Sequence, residues 1–151
     1  MLERIKKRIS LGQARTAIAL TKKHGITCRA SFMFGNPGET RKTIEKTVQF
    51  AMETMPDFVV FNIIRPYPGT EVYDWARQMG GLMREKWYMA PESGAIMTLP
   101  DLSRQDLVKA QSQAMRRFYV RPRYVISRVS RLHSLADIRM YLKGFLSILR
   151  A

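Results

Sequence analysis

Apolar positions recur every three or four residues over much of the chain, which is the spacing of helices that bury one face. Ser10 and Gln13 have the spacing of a capping box and predict the start of a first helix, which ends at Gly25. Thr40 caps a second predicted helix, and Pro56 stops it. Three further helices are predicted to begin after Thr70, Ser103 and Ser134.

Two apolar runs lie between the first three helices. Ile26–Phe34 is predicted to be a strand, and Phe58–Ile64 shows almost no alternation, which predicts a strand that helices cover on both faces. Strands that alternate with amphipathic helices form βαβ units with a parallel sheet. The pattern therefore predicts an α/β fold, with a further short strand at Ile96–Leu99 and a helical region after it.

The chain has 151 residues, enough for one domain, and its apolar content of 46% is ordinary for a globular protein. Its net charge of +14 is high and unevenly spread. Residues 1–100 carry 15 basic and 9 acidic side chains, whereas residues 101–151 carry 11 and 3. We therefore distinguish a unit over residues 1–100 from a basic helical extension over residues 101–151.

Cys28 is the single cysteine, so the chain by itself can form neither an internal disulfide nor a cysteine-based metal site. A small buried apolar side chain is the expected role for Cys28. His24 and His133 lie near predicted helix ends, and we assign neither to a metal.

With no signal-peptide pattern and no long apolar stretch, the sequence predicts a cytoplasmic protein that at most touches the inner face of the membrane.

The turn Gly35–Thr40 follows the first predicted strand and leads into a helix. Parallel strands present ligands with such turns at their carboxyl ends, so a ligand is expected above Gly35. The alternative is a tight turn with no ligand. In the same way, Glu39 is expected to favour the helix N-terminus through its charge, and core packing is the default role for Met33 and Phe34.

Six arginines lie among aromatic residues between positions 116 and 131. Such a mixture suits contacts with nucleic acid or with an anionic lipid surface. A solvated face, or a surface that meets an acidic part of a larger protein, is the interpretation that we favour. The arginines are Arg116, Arg117, Arg121, Arg123, Arg128 and Arg131.

Four segments carry, in order, a resemblance to a known family: Lys6–Ser10, Lys22–Ile26, Phe32–Thr40 and Pro66–Glu71, with the tail Phe118–Tyr124 in addition. Together they resemble the C-terminal half of a radical S-adenosylmethionine (SAM) enzyme core. The most similar branch has an N-terminal cobalamin-binding domain and includes anaerobic magnesium-protoporphyrin IX monomethyl ester cyclases and related Fe–S oxidoreductases. The resemblance covers nearly the whole chain.

The resemblance implies a partial (β/α)6 TIM-like barrel, with two or three parallel strands and flanking helices, followed by an α-helical C-terminal extension. It places SAM contacts at the ends of both strands and substrate contacts on the segments that follow. The implied cofactor-binding residues are Met33, Phe34, Gly35, Asn36, Asn62 and Ile64, and the implied substrate-facing residues are Arg65, Tyr67, Trp87 and Tyr88.

The chain departs from the family at the iron–sulfur cluster. Three closely spaced cysteines hold a [4Fe–4S] cluster in the family, and Cys28 alone cannot replace them. The resemblance implies that a missing N-terminal part holds the cluster, and it leaves cobalamin open for the full-length protein. The chain alone is predicted to be inactive, so whether it is an enzyme stays open. Its expected partners are that N-terminal half or a second copy, and a small organic substrate.

Two hypotheses of function follow. In the first, the chain is the SAM- and substrate-facing part of an enzyme that cleaves SAM with the cluster and generates a 5′-deoxyadenosyl radical. In the second, it is a non-catalytic basic helical module on nucleic acid or an anionic membrane, with binding that falls steeply with salt; nucleic acid is the less expected partner. Since two strands cannot close a barrel, we also expect self-association or poor solubility of the chain alone.

Overall fold

The computed structural model describes residues 2–82 and 97–129, and it confirms the α/β class with two parallel strands and flanking helices. The predicted last helix lies outside the described residues, as do His133, Trp87 and Tyr88. The described elements are α1 (Leu11–Lys23), β1 (Arg29–Phe34), α2 (Arg41–Thr54), β2 (Phe58–Ile63), α3 (Glu71–Gln78), α4 (Arg104–Tyr119) and α5 (Pro122–Val129).

The helices begin where side chains can replace the missing main-chain partners of the first turn. Ser10 and Gln13 form the predicted capping box of α1, and Thr40 caps α2 in the same way. Helix α2 ends at Met55, which has a left-handed conformation with φ of 48°, one residue before Pro56. Helix α5, which we did not predict from the sequence, begins at Pro122, where proline is well tolerated.

Strand β2 is close to its predicted length, whereas β1 is three residues shorter than predicted because it begins at Arg29 and not at Ile26. The reason is local: the Ile26 N–H donates to the Thr21 carbonyl at 3.1 Å and so completes the end of α1. The predicted short strand at Ile96–Leu99 is not present in its described part. There, Met97 pairs with Leu82 and Leu99 with Leu102 in two isolated antiparallel bridges.

The sheet consists of β1 and β2 in parallel, with Arg29 opposite Phe58 and Phe34 opposite Ile63. Helices cover one face, where Phe34, Val59 and Phe61 are buried. Within the described residues the other face is open, which differs from our expectation that the second strand is covered on both faces. Met33 is 46% exposed there.

Helix α4 packs against β2 and α2 and buries Leu107, Ala114 and Phe118 in the same core as the sheet. The change in charge near residue 100 is therefore not a division of the core. Among the described helices, none is long and apolar enough to cross a membrane.

Candidate functional site

The carboxyl ends of β1 and β2 lie at the same edge of the sheet, because the strands are parallel. Met33 is opposite Asn62 in the register, so two residues expected to bind a cofactor are neighbours on the open face. The pairing continues past the strands, where the Ile64 N–H donates to the Phe34 carbonyl at 2.8 Å. The loops that follow the two strands therefore begin side by side.

Gly35 is the residue at which β1 turns into its loop. Its φ of 90° favours glycine, and a Cβ at this position would lie 2.9 Å from Ile64 Cγ2. Both the backbone conformation and the close approach therefore require glycine here. The contact brings together Gly35 and Ile64, two residues that the resemblance implies for SAM binding.

Glu39 holds the two ends of this loop together through hydrogen bonds to its main chain. Its side chain is only 2% exposed, and Oε2 accepts hydrogen bonds from the main-chain N–H of Gly35 and, at 3.1 Å, of Asn36. Burial raises the pKa of the Glu39 carboxyl, although the two main-chain donors act in the opposite direction. The sequence analysis assigned Glu39 to the helix N-terminus and missed this contact; the four-residue spacing from Gly35 is the signal that could have indicated it.

Asn36 is equally buried, and its Nδ2 donates to the Met33 carbonyl at 2.9 Å. The remaining side-chain oxygens of this pair, Asn36 Oδ1 and Glu39 Oε1, are buried without a hydrogen-bond partner among the described residues. A buried acceptor without a partner costs about 1–3 kcal/mol. The loop therefore offers two acceptors whose pairing with a donor group would be favourable.

Phe34 lies on the opposite face of the sheet from Met33. Its side chain is fully buried and stacks on Phe61, with ring centroids 5.4 Å apart, on the helix-covered face. Successive side chains of a strand point to opposite faces, so Phe34 is in the core while Met33 is on the open face. This corrects the expectation that Phe34 packs on a ligand.

Asn62 lies on the open face with Met33, and its Nδ2 donates to Ser31 Oγ at 2.9 Å. This hydrogen bond joins the two strands through their side chains. Met33, Ser31 and Asn62 therefore form a small mixed surface, apolar at one position and polar at two, immediately before the loops.

The second loop, Arg65–Thr70, leaves the same edge. Arg65 is half-buried and Tyr67 is exposed, while Pro66 between them is buried. Thr70 ends the loop by capping α3, and its N–H donates to the Tyr67 carbonyl at 3.1 Å. The structure thus places two of the four expected substrate-facing residues at this edge.

The N-terminal segment, residues 2–9, contacts the first loop and the start of α3, which the sequence analysis did not anticipate. Arg4 Nη1 occupies the space beside Gly38, only 1.7 Å from where a Cβ would lie. Lys6 forms an ion pair with Glu71 at the start of α3. The segment therefore crosses the carboxyl-end edge of the sheet before α1 begins.

Among the residues that the structure describes, no three His, Cys, Asp or Glu side chains come together in a group that could hold a metal ion. Cys28 is half-buried, and burial, with a further contribution from the negative charge of Asp57, raises the pKa of its thiol. A raised thiol pKa disfavours the thiolate that metal clusters require. Cys28 therefore does not fit the role of a cluster ligand.

Two arginines of the basic run are engaged inside the chain. Arg117 forms a bidentate ion pair with Glu45 of α2, in which Nη1 donates to Oε2 at 2.5 Å and Nη2 donates to Oε1 at 2.7 Å. Arg121 donates to the Met52 carbonyl at 2.8 Å and lies over the Phe118 ring, 4.3 Å from its centroid. These two side chains hold α4 and α5 against α2, so they are not part of a wholly solvated face.

No family model matches the chain. Over 148 residues, or 98% of its length, the chain is 30% identical to an uncharacterized methyltransferase of Pyrococcus horikoshii, of which it spans 32%. Over 122 residues, or 80% of its length, it is 26% identical to the anaerobic magnesium-protoporphyrin IX monomethyl ester cyclase of Cereibacter sphaeroides, of which it spans 19%. Over 66 residues, or 44% of its length, it is 33% identical to the bacteriochlorophyllide d C-8(2)-methyltransferase of Chlorobaculum tepidum, of which it spans 15%.

The chain thus spans about a third, or less, of the length of these curated relatives. By sequence it is related to a group of methyltransferases and cyclases, and this supports the relation to the radical SAM family that its motifs indicate. The similarity to the Pyrococcus protein extends over nearly the whole chain, so it includes the C-terminal helices as well as the two strands.

Proposed function

We propose that this chain is the SAM- and substrate-facing part of a larger radical SAM enzyme of the methyltransferase or cyclase type. The observation that carries the proposal is the cluster at the carboxyl ends of β1 and β2. There, two buried oxygen acceptors that have no partner among the described residues lie beside a sheet face that the described helices leave uncovered. The residues expected to bind SAM that meet there are Met33, Gly35, Asn36, Asn62 and Ile64.

The residues of this cluster suit the parts of SAM. The exposed Met33 side chain offers an apolar surface for the adenine ring, and the Asn62 amide offers a polar edge beside it. Gly35 lets the first loop pack closely against Ile64, since it has no side chain, so the ends of both strands form one continuous surface. Asn36 Oδ1 and Glu39 Oε1 can accept hydrogen bonds from an amine or hydroxyl group.

In this proposal, bound SAM supplies the radical chemistry together with a [4Fe–4S] cluster held by another part of the protein. The residues of this chain position SAM and limit the access of water to it. Arg65 and Tyr67 face the substrate from the second loop, with Trp87 and Tyr88 as further candidates. We assign neither the cluster nor cobalamin to any residue of this chain, and we expect the chain alone to be inactive.

Isothermal titration with SAM tests the proposal. We expect saturable binding, by the chain alone or by the chain joined to the remainder of a full-length relative. Asn62→Ala should weaken binding about tenfold, which corresponds to the loss of one hydrogen bond. Gln49→Ala, on the exposed side of α2, is the matched control and should leave binding unchanged. Absence of SAM binding in both forms of the protein would refute the proposal.

A further inference from the structure

The aromatic residues of the basic run in α4 and α5 lie on the inner side of these helices. Phe118 and Tyr124 are buried in the core, with ring centroids 5.2 Å apart. The ring of Tyr119 packs edge-on against both, and its hydroxyl bonds the main chain of Val59. Single-stranded nucleic acid is bound by stacking its bases on exposed aromatic rings. These three rings are already engaged inside the chain and do not offer such a platform.

Aliphatic residues occupy the outer side instead. Ile126 is 68% exposed, and Val125 and Val120 are exposed as well. Residues two apart on a helix lie about 200° apart around its axis, so Ile126 is on the side of α5 opposite the buried Tyr124. A surface helix of a globular protein normally turns its apolar side toward the core. Helix α5 turns aliphatic side chains away from it.

Positive charge accompanies these aliphatic side chains. Arg123 is exposed on α5, and Lys109 and Arg116 are exposed on the side of α4 that faces away from the core. Between Asp106 and Asp137 the sequence contains seven basic residues and no acidic residue. The outer side of the two helices therefore combines aliphatic side chains with charge of one sign.

An anionic lipid surface matches both properties. Its phosphate groups attract Lys and Arg, and the acyl chains beneath them accept aliphatic side chains. Nucleic acid matches the charge, but its phosphates give Val125 and Ile126 no apolar partner. A solvated face or an acidic protein surface, which the sequence analysis favoured, likewise accounts for the charge and not for Ile126. The distribution of residues on α5 therefore favours lipid.

The sequence after α5 has the same character. Residues 130–151 lie outside the described residues; they contain four Lys or Arg residues and one acidic residue. Ile138, Leu142, Phe145 and Leu149 recur at helical spacing among them. A basic amphipathic helix is the sequence pattern of a segment that lies on a membrane surface. The sequence therefore predicts that the chemistry of α5 continues past its end.

We propose that the outer side of α4 and α5 binds the surface of an anionic bilayer. Val125 and Ile126 enter the boundary between head groups and acyl chains, while Lys109 and Arg123 contact the lipid phosphates. The contact is peripheral and uses none of the residues assigned to SAM. The inference therefore goes beyond the proposed function and does not rest on it.

Flotation of the full chain with lipid vesicles tests the inference. One set of vesicles consists of phosphatidylcholine, and the other contains phosphatidylcholine and phosphatidylglycerol in equal amounts. We expect binding to the anionic vesicles alone, and we expect this binding to weaken as salt is added. Absence of binding at low salt, or equal binding to both sets of vesicles, would overturn the inference.

Two variants with matched controls separate the apolar from the ionic contribution. Ile126→Ser should weaken vesicle binding about fivefold, since one aliphatic side chain no longer leaves water. Ile26→Ser, at an isoleucine that is 60% exposed before β1, should leave binding nearly unchanged. Arg123→Gln should also weaken binding about fivefold, whereas Arg77→Gln, at an exposed arginine of α3, should not.

All four side chains are exposed, so the variants should keep the unfolding midpoint of the parent chain, which confirms that they are folded. Equal effects of Ile126→Ser and Ile26→Ser would overturn the apolar contact. Equal effects of Arg123→Gln and Arg77→Gln would show that net charge alone, and not this surface, causes the binding.

Amide hydrogen exchange locates the contact. Helices α3 and α5 both have eight residues, so α3 is a matched reference for α5. On binding to anionic vesicles, the amides of Val125 and Ile126 should exchange more slowly, and those of α3 should be unchanged. Slower exchange in α3 without a change in α5 would place the membrane contact elsewhere and overturn the inference.

The same variants identify other occupants of this surface. Binding to a DNA duplex that is at least as tight as binding to anionic vesicles, and that is insensitive to Ile126→Ser, would assign the surface to nucleic acid. Self-association that Ile126→Ser abolishes, with vesicle binding unchanged, would assign it to a second copy. Titration with SAM is independent: a chain that binds SAM but no vesicles refutes this inference alone, and the reverse result leaves the inference intact.

Discussion

At the scale of single residues, Glu39 holds the strand-end loop in its conformation. Its carboxylate bonds two consecutive main-chain N–H groups from a nearly fully buried position. The same burial leaves Oε1 without a partner among the described residues. Glu39 is therefore a positioning residue whose stabilising contacts are opposed by the cost of burying its charge.

Glu39 should make the stability of the chain dependent on pH. Because its pKa is raised in the folded state, the folded chain holds this proton more tightly than the unfolded chain. The free energy of unfolding should therefore fall as pH rises from about 4.3, the ordinary glutamate value, through the raised pKa. Glu39→Gln should remove this fall while keeping an acceptor for the loop. Urea unfolding of both proteins at pH 4 and pH 7 measures this decrease in the free energy of unfolding.

The control for this comparison is Glu53→Gln, which removes an exposed carboxylate that pairs with Arg15 and matches the change in net charge. If the Glu39→Gln variant retains the full decrease in stability between the two pH values, burial of the Glu39 charge is not its cause.

Gly35 and Gly69 provide a matched pair for the close approach at the site. Both have left-handed backbones, with φ of 90° and 83°, but only a Cβ at Gly35 would meet a neighbour within 4 Å. Gly69→Ala should cost about 1–2 kcal/mol from the backbone alone. Gly35→Ala should cost about 1 kcal/mol more, because Ile64 must move. Equal losses in urea unfolding would mean that the contact with Ile64 has no energetic effect.

At the scale of elements, α4 serves both as part of the core and as the cover of a sheet edge. Leu107, Ala114 and Phe118 face the core, while Gln111 and Tyr119 reach the main chain of β2. The sequence spacing indicates the apolar face of this helix. Nothing in the spacing indicates the polar contacts, because Tyr119 and Val59 are 60 residues apart.

Removal of one hydroxyl tests this edge cover. Tyr119→Phe keeps the ring contact with Phe118 but leaves both main-chain groups of Val59 without this partner. We expect a loss of about 1–3 kcal/mol in the free energy of unfolding and faster exchange of the Val59 amide. Tyr73→Phe on α3, whose hydroxyl makes no hydrogen bond within the described residues, is the control. An unchanged exchange rate at Val59 would contradict the edge cover.

At the scale of the whole molecule, the described part of the chain shares one core across the change in charge near residue 100. Phe34 and Phe61 from the strands lie in the same cluster as Phe118 and Tyr124 from the last two described helices. The ion pair between Glu45 and Arg117 crosses the same boundary. The basic helices therefore complete the fold of the strand region.

Truncated proteins test whether the strand region needs α4 and α5 to fold. A protein of residues 1–100 lacks α4 and α5, so it should lose cooperative unfolding and the protection of the β2 amides. A protein of residues 1–129 retains both helices and should unfold cooperatively. Circular dichroism and hydrogen exchange report the two properties. Cooperative unfolding of the shorter protein with an unchanged midpoint would show that the core does not need α4.

Much of the fold follows from local patterns. The caps at Ser10, Thr40 and Ser103 were predicted because each depends on a partner only three residues away. The apolar runs predicted both strands, and the motifs after them placed Gly35 and Ile64 at one edge of the sheet. The start of β1 was less well predicted, because the end of α1 uses the main chain of Ile26.

The sequence by itself determined both strands and four of the five described helices with their order, because these depend on spacing within a few residues. The position of the candidate site came from the family resemblance and stays a prediction. Only the tertiary structure decided that Phe34 faces the core while Met33 faces outward, since alternation separates two faces without saying which one the helices cover. It also decided that Tyr119 and Gln111 of α4 close the outer edge of β2. Such contacts join residues far apart in sequence, so their geometry exists only after the chain has packed.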